Sequence, residues 1–259
     1  MSLKDDLWIW GQTAGTHHAH NNNSWKLPGE NKMETLEGAK FLGTPNIIRV
    51  AMAGSPTPPF DDEAELFKDQ PKVVWSVVGD ASTERTNTGG TDTAAVIDIS
   101  RKYKNIIGGI MDDIFVKDRL ENYTPEIIEA CAKELHDANL ELWSVIYEYN
   151  MEMDVASRLA PCDAITLWTW KGDQLINLEQ TYENLKKLML PHHKVYAGCY
   201  FWDYGNRRPL PMGLMKYQLE VYRKWYDEGK IEGIIMLSNC TADIGLETVD
   251  YVRQWIAEL

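Results

Sequence analysis

Eight short apolar runs punctuate this chain, and a segment of helical pattern separates each from the next. The runs cover residues 7–12, 46–52, 72–78, 107–112, 141–147, 164–170, 194–201 and 233–238. They are β-branched or aromatic and mostly apolar on both faces, as parallel strands covered on both sides must be. The segments between them are read as helices over 32–42, 62–68, 93–103, 124–138, 152–159, 178–190, 211–228 and 246–259. In the fourth of these, Ile127, Ile128, Cys131, Ala132 and Leu135 recur at helical spacing behind a Thr124-Pro125 start. The sixth opens on a capping-box pattern at Asn177-Leu-Glu-Gln180.

Eight β-then-α units predict a closed (β/α)8 TIM barrel, read as a single domain over residues 1–259. Link lengths agree. Helix-to-strand links such as 43–45 and 229–232 are short, whereas strand-to-helix links at 13–31, 79–92, 114–123 and 202–210 are long. Long loops on one rim mark the functional face of such a barrel. The rival is an open doubly wound sheet, which would carry a glycine-rich phosphate loop after its first strand. Here the first strand runs into Gly11-Gln-Thr-Ala-Gly-Thr-His-His, with neither GxGxxG nor GxxxxGK.

A chain of 259 residues with 44% hydrophobic residues can bury a sizeable core. Its net charge of −13, with no basic cluster, argues against nucleic acid and anionic membrane surfaces as partners. Cys131, Cys162, Cys199 and Cys240 are widely spaced, sit in apolar contexts and form no CxxC. They read as buried free thiols, the pattern of a reducing compartment. No apolar run reaches transmembrane length, and the first residues lack a signal peptide's apolar core. A cytoplasmic protein is the expectation, with secretion after removal of a signal peptide as the alternative.

In a barrel the carboxyl ends of all strands surround one shallow bowl. Here those ends carry Asp80, the adjacent pair Asp112-Asp113, Glu148, Trp168, Trp170, Trp202, Asp203 and Asn239. A strand-end acid often caps the following loop or helix instead. Several acids around one bowl favour chemistry. Asp112, Asp113, Glu148 and Asp203 are the candidates for acid–base work. Neighbouring side chains on a strand face opposite ways, so at most one of Asp112 and Asp113 is expected to point inward. Alternation groups Glu148 with Ser144 and Ile146, the smaller side chains of the fifth strand. That set is expected to face the tight interior, with Trp143, Val145 and Tyr147 outside. Glu148 would then lie in a partly apolar collar that raises its pKa and suits it to general-acid catalysis. Two carboxylates facing one bond is the arrangement of glycoside hydrolysis, and flat sugar faces stack on indoles such as Trp168, Trp170 and Trp202.

His18, His20, Arg49, Asp80, Trp168, Trp170, Trp202 and Asn239 are the candidates for substrate binding. His18-x-His20 has the form of a metal-ligand pair, but the strand ends supply no further histidines to complete a site. No metal and no cofactor are therefore expected. Arg49 interrupts the second strand and must be paired if buried, either with a strand-end carboxylate or on the helix side.

Ile110-Met-Asp-Asp-Ile-Phe115 after the fourth strand and Leu167-Trp-Thr-Trp170 after the sixth carry a resemblance. With them the chain resembles the glycoside hydrolase-like (β/α)8 barrel superfamily over nearly its whole length. The resemblance implies an acid after the fourth strand, some families using it as nucleophile, and maps that acid to Asp112 or Asp113. The expected function is a carbohydrate-active hydrolase acting on a small-molecule or oligosaccharide substrate. Two alternatives are a metal-dependent hydrolase or isomerase using the histidines at 17–20, and a sugar-binding barrel without catalysis. The sequence gives no oligomeric state.

Overall fold

The computed structural model describes residues 2–259. Its barrel strands are β1 (Leu7–Gly11), β2 (Asn46–Arg49), β3 (Val73–Val78), β4 (Ile106–Met111), β5 (Glu141–Tyr147), β6 (Ala164–Trp168), β7 (Lys194–Tyr200) and β8 (Gly233–Leu237). All eight are parallel and pair in chain order, and β8 closes on β1. The closed (β/α)8 barrel expected from the alternation is the fold. Its outer helices are α1 (Thr35–Leu42), α2 (Asp61–Leu66), α3 (Thr93–Lys102), α4 (Pro125–Asp137), α5 (Ala156–Leu159), α6 (Leu178–Lys186), α7 (Met212–Asp227) and α8 (Glu247–Ala257). One antiparallel pairing, Trp202–Asp203 with Arg208–Pro209, is a hairpin outside the barrel on the loop after β7.

Element ends follow local chemistry. Gly43 takes a left-handed conformation (φ 83°) and donates to the Ala39 carbonyl at 2.9 Å, which ends α1 three residues before β2. Pro125 occupies the first turn of α4, where a missing N–H costs nothing. α1 starts later than its expected residue 32. The Lys32 and Met33 N–H groups donate to Asp243 at 3.0 and 3.2 Å, so that stretch is held in the loop. β2 and β6 end before their expected residues 52 and 170. Beyond β2 the chain turns through the Met52–Ser55 bridge, and beyond β6 the Trp170 N–H bonds Glu148 rather than a strand.

Register decides which side chains fill the barrel. Parallel partners face the same way, so the pairings Trp10↔Leu237, Trp143↔Ala164, Tyr147↔Trp168 and Tyr200↔Leu237 place one consistent set inward. Trp8, Trp143 and Tyr196 meet at the lower end, with Trp143 stacked on Tyr196 at 4.3 Å and Trp8 at 5.2 Å from Trp143. Above them Trp10 and Tyr200 lie 5.1 and 5.0 Å from Trp168. The expectation for β5 is therefore reversed. Trp143, Val145 and Tyr147 point in, and Ser144, Ile146 and Glu148 belong to the other face. Glycine makes the bulk possible: a Cβ on inward-facing Gly198 would overlap the Trp168 indole. The interior tolerates large rings on some strands because others supply no side chain.

The four cysteines are buried and free. Among the described residues no helix is long and apolar enough to cross a membrane.

Candidate active site

The loop after β1 builds one side of the bowl. Gly15, at φ 78°, turns the chain into the short helix Thr16–Ala19. On a helical turn residues three apart share a face. Hence His17 and His20 lie together, and His18 is turned away from the cavity that His17 lines. The pair that converges is not His18-x-His20. His17 is buried between the Gln12 amide oxygen and the Tyr204 hydroxyl, the latter 2.8 Å from its Nδ1. The Gln12 Nε2 donates to the Met52 sulfur, which leaves its oxygen to accept from His17 Nε2 and the Tyr204 hydroxyl to donate to Nδ1. Burial pushes the His17 pKa down to about 3, so its ring is neutral. His20 stacks on Trp25 with ring centroids 4.3 Å apart.

The acids come from β3 and β4. β4 ends at Met111, and Asp112 follows the inward side of the strand. Asp113 then adopts φ 51°, the left-handed region that Asp enters more readily than most residues. This turn breaks the alternation. Asp112 and Asp113 both line the cavity, together with Asp80 from the end of β3. The expectation that at most one of the pair faces inward held for a continuing strand and fails at the turn. Asp112 is 4% exposed, and no described side chain donates to its carboxylate. Burial raises its pKa well above the usual carboxylate range, and the Asp113 and Asp80 charges add to the rise. Burial raises Asp113 too, opposed by the Ala81 N–H at 3.3 Å, by Arg119 and by Tyr147. Asp80 is raised to about 6, again mainly by burial, although its Oδ1 accepts from the Ser82 hydroxyl at 2.7 Å and the Thr83 hydroxyl at 3.2 Å.

Arg119, on the short helix Lys117–Leu120, holds these ends in place. It is buried and donates to the carbonyls of Gly79 at 3.0 Å, Asp112 at 3.1 Å and Thr86 at 3.1 Å. It ties β3 to β4 through backbone, forming no ion pair with the acids. The sequence offered no signal for it, since Lys117-Asp-Arg-Leu reads as a solvated turn.

Aromatic rings complete the bowl, a cavity of about 210 Å³. Trp168 and Trp10 form its floor, and the Trp168 Nε1 donates to Thr166 within the barrel at 2.9 Å. Trp170 stacks on Tyr204, and Tyr147 lies parallel to Tyr149 at 5.2 Å. Trp168 and Trp170 thus share a face and line the cavity, as period-2 alternation required. Trp25, Tyr200 and Tyr204 also line it and were not singled out from the sequence. Tyr200 was legible as the residue two after Gly198 and four after Tyr196 on one strand face. Trp25 lies in a loop, where no periodicity points to it.

Other candidates are placed elsewhere. Glu148 is not among the cavity-lining residues, and its Oε2 accepts the Trp170 N–H at 3.0 Å. Burial raises its pKa as expected, but in a different place. Asp203 is buried in the hairpin turn, accepting from the Gly172 N–H at 2.9 Å, Asn206 Nδ2 at 2.9 Å and Arg208 Nε at 3.2 Å. Trp202 donates to the Trp25 carbonyl at 3.0 Å and faces a separate groove with Pro28 and Leu210. Asn239 bridges the β1 end to the next loop, exchanging two 2.9 Å bonds with the Gln12 backbone and donating to Met33. Arg49 faces the helices, where Glu63 on α2 pairs with it at 2.5 Å.

The cavity opens into a wider trough of about 690 Å³ that shares Trp25, Met52, Asp80, Asp113 and Trp170 and adds Ala19, His20 and Ser82. Among the described residues no three His, Cys, Asp or Glu side chains are placed to hold one metal ion.

No family model matches the chain, and no curated protein matches it. Solved structures do. A proposed alpha-L-fucosidase from Bacteroides thetaiotaomicron is 14% identical with a TM-score of 0.60, covering 98% of this chain and 93% of its own. Catalytic domain 2 of the Group II chitinase of Ostrinia furnacalis is 10% identical with a TM-score of 0.59, covering 98% and 97%. The tryptophan synthase alpha-subunit of Pyrococcus furiosus is 10% identical with a TM-score of 0.55, also covering 98% and 97%. At these identities the likeness is one of fold. The fold is shared with glycoside hydrolases and with an enzyme of different chemistry, so activity must be argued from the site.

Proposed function

We propose that this barrel is a carbohydrate-active hydrolase whose reacting groups are Asp112 and Asp113. One observation carries the reading: three carboxyl groups, none in an ion pair among the described residues, face a cavity walled by aromatic rings. Burial raises the pKa of both acids, and the Asp113 charge further disfavours ionisation of Asp112, so the pair favours one protonated and one ionised carboxyl. The protonated member donates to the glycosidic oxygen as the bond from that oxygen to the anomeric carbon breaks. The ionised member faces the positive charge that develops on the ring. Water then adds to the anomeric carbon and returns a proton to the acid, leaving a free sugar and an alcohol. Glu148, outside the cavity, has no part in these steps. Trp168 and Trp170 offer the sugar apolar faces, and Asp80, Tyr147 and Tyr149 offer groups for its hydroxyls.

The test is turnover on 4-nitrophenyl glycosides and oligosaccharides, with a thermal melt of every variant. Asp112→Asn and Asp113→Asn are each expected to lower kcat/KM at least a hundredfold while the fold is kept. Glu148→Gln is expected to stay within about threefold of the parent. Near-parental rates in both Asp variants would sink the assignment.

A further inference from the structure

The two connected spaces at the rim differ in size and lining, and that difference bears on which part of a substrate each receives. The inner cavity, at about 210 Å³, falls below the roughly 300–1,000 Å³ of pockets that take drug-sized ligands. Its floor is closed by Trp10, Trp168 and Leu237, and Tyr200 and Tyr204 close its far wall. A sugar chain running through the site would need an exit on that side. The cavity widens into the trough beside His20, Trp25 and Ser82, which meets it at Asp80 and Asp113. Charge limits the ligand as well. Neither space is lined by a described Lys or Arg, while Asp80, Asp112 and Asp113 face the inner one. A sugar carboxylate or sulfate placed there would meet three carboxyl groups, whereas Arg119, the cation that acts on Asp112 and Asp113, lies behind them with its N–H groups on backbone carbonyls.

We propose that the inner cavity takes one uncharged terminal sugar unit and the trough takes the remainder of the glycoside, so that the enzyme removes single units from a chain end. The bond at the junction then lies beside Asp113, and the leaving oxygen points into the trough. The leaving group packs on the apolar face offered by Trp25 and the neighbouring His20 ring. The proposal rests on the hydrolase reading for its chemistry and for which chain end lies inside, but the placement of one unit in the cavity and the rest in the trough stands on geometry alone.

Two readouts separate the two claims. The first is the product series from tetrasaccharides of neutral hexoses and N-acetylhexosamines, labelled at the reducing end, with matching uronic-acid substrates alongside. Stepwise loss of single units from the unlabelled end, with no uronic acid released, is expected. Early appearance of internal fragments, or faster release of uronic acid, overturns the inference while leaving the hydrolase reading intact. The second is calorimetric binding of the monosaccharides and tetrasaccharides to the full chain and to Ala19→Trp, which narrows the trough from an exposed position. The substitution is expected to weaken the tetrasaccharide at least tenfold more than the monosaccharide. If no substrate turns over and this selective loss is still seen, the hydrolase reading fails and the placement holds. Equal weakening of both ligands, or no sugar binding to the parent chain, overturns the placement.

Discussion

Asp80 couples the chemistry of the rim to the stability of the fold. Burial raises its pKa from 3.8 to about 6. Below about pH 4 the carboxyl is protonated in folded and unfolded chains alike. Between about pH 4 and 6 the folded chain holds the proton while the unfolded chain releases it, so stability falls as pH rises through this window. Above about pH 6 the loss is complete, at most about 3 kcal/mol. Asp80→Asn is therefore expected to raise the melting temperature at pH 8 and to lose that advantage below about pH 4. The bonds from Ser82 and Thr83 reduce the gain. Melts of parent and variant at pH 4, 6 and 8 check this, and an unchanged melting temperature at pH 8 would contradict it. Glu148 shows how residue-level inference went astray. Its alternation group was read correctly, but facing was assigned by size, on the premise that small side chains fill the interior. The premise fails where Gly198 on β7, beside β6, yields the space that Trp168 takes.

Single elements were legible where one period ran undisturbed. β1 to β8 were visible because each is a short apolar run, and α4 because its apolar residues recur at helical spacing. The site elements were less so, because they are the places where a period changes. Thr16–Ala19 is one helical turn inside a long loop, and only the switch to a spacing of three pairs His17 with His20. The left-handed turn at Asp113 likewise ends the strand's alternation and brings both acids to one side. Where the period does hold, substitution has a firm expectation. Gly198→Ala adds a methyl group where the Trp168 ring lies. Overpacking of this kind costs about 1–3 kcal/mol. A urea titration should show a lower midpoint with an unchanged slope, and an unshifted midpoint would mean that the β6–β7 interior accommodates the methyl group. Because Trp168 also floors the cavity, the proposed function adds that weaker sugar binding accompanies the loss.

For the whole molecule, the alternation of strands and helices sufficed to predict closure, since eight such units leave no edge strand exposed. It could not say which strand ends chemistry uses. Asp203 and Asn239 stand at comparable ends, yet one organises a hairpin and the other bridges loops. The molecular charge acts at this scale too. With a net charge of −13 and three carboxyl groups at the cavity, the field disfavours anionic ligands. Raising salt from about 0.01 M to about 0.1 M shortens the screening length from about 30 to about 10 Å. Binding of a free uronate is expected to strengthen over that range, with a neutral hexose almost unaffected. Calorimetry at both salt concentrations measures it, and a uronate that binds best at low salt would mean that the Arg119 charge outweighs the acids at the site.

The left-handed turn at Asp113 also bears on how such a chain can drift. Few residues accept that backbone geometry without strain, and the tolerant ones are glycine, asparagine and aspartate. Asparagine is a single base change from aspartate in the genetic code. The shortest mutational path away from acid at this position thus keeps the turn, the barrel and the aromatic bowl while deleting a proton donor or acceptor. On the proposed hydrolase reading, that one step removes catalysis and keeps sugar binding, and the same step read backwards arms a receptor as an enzyme.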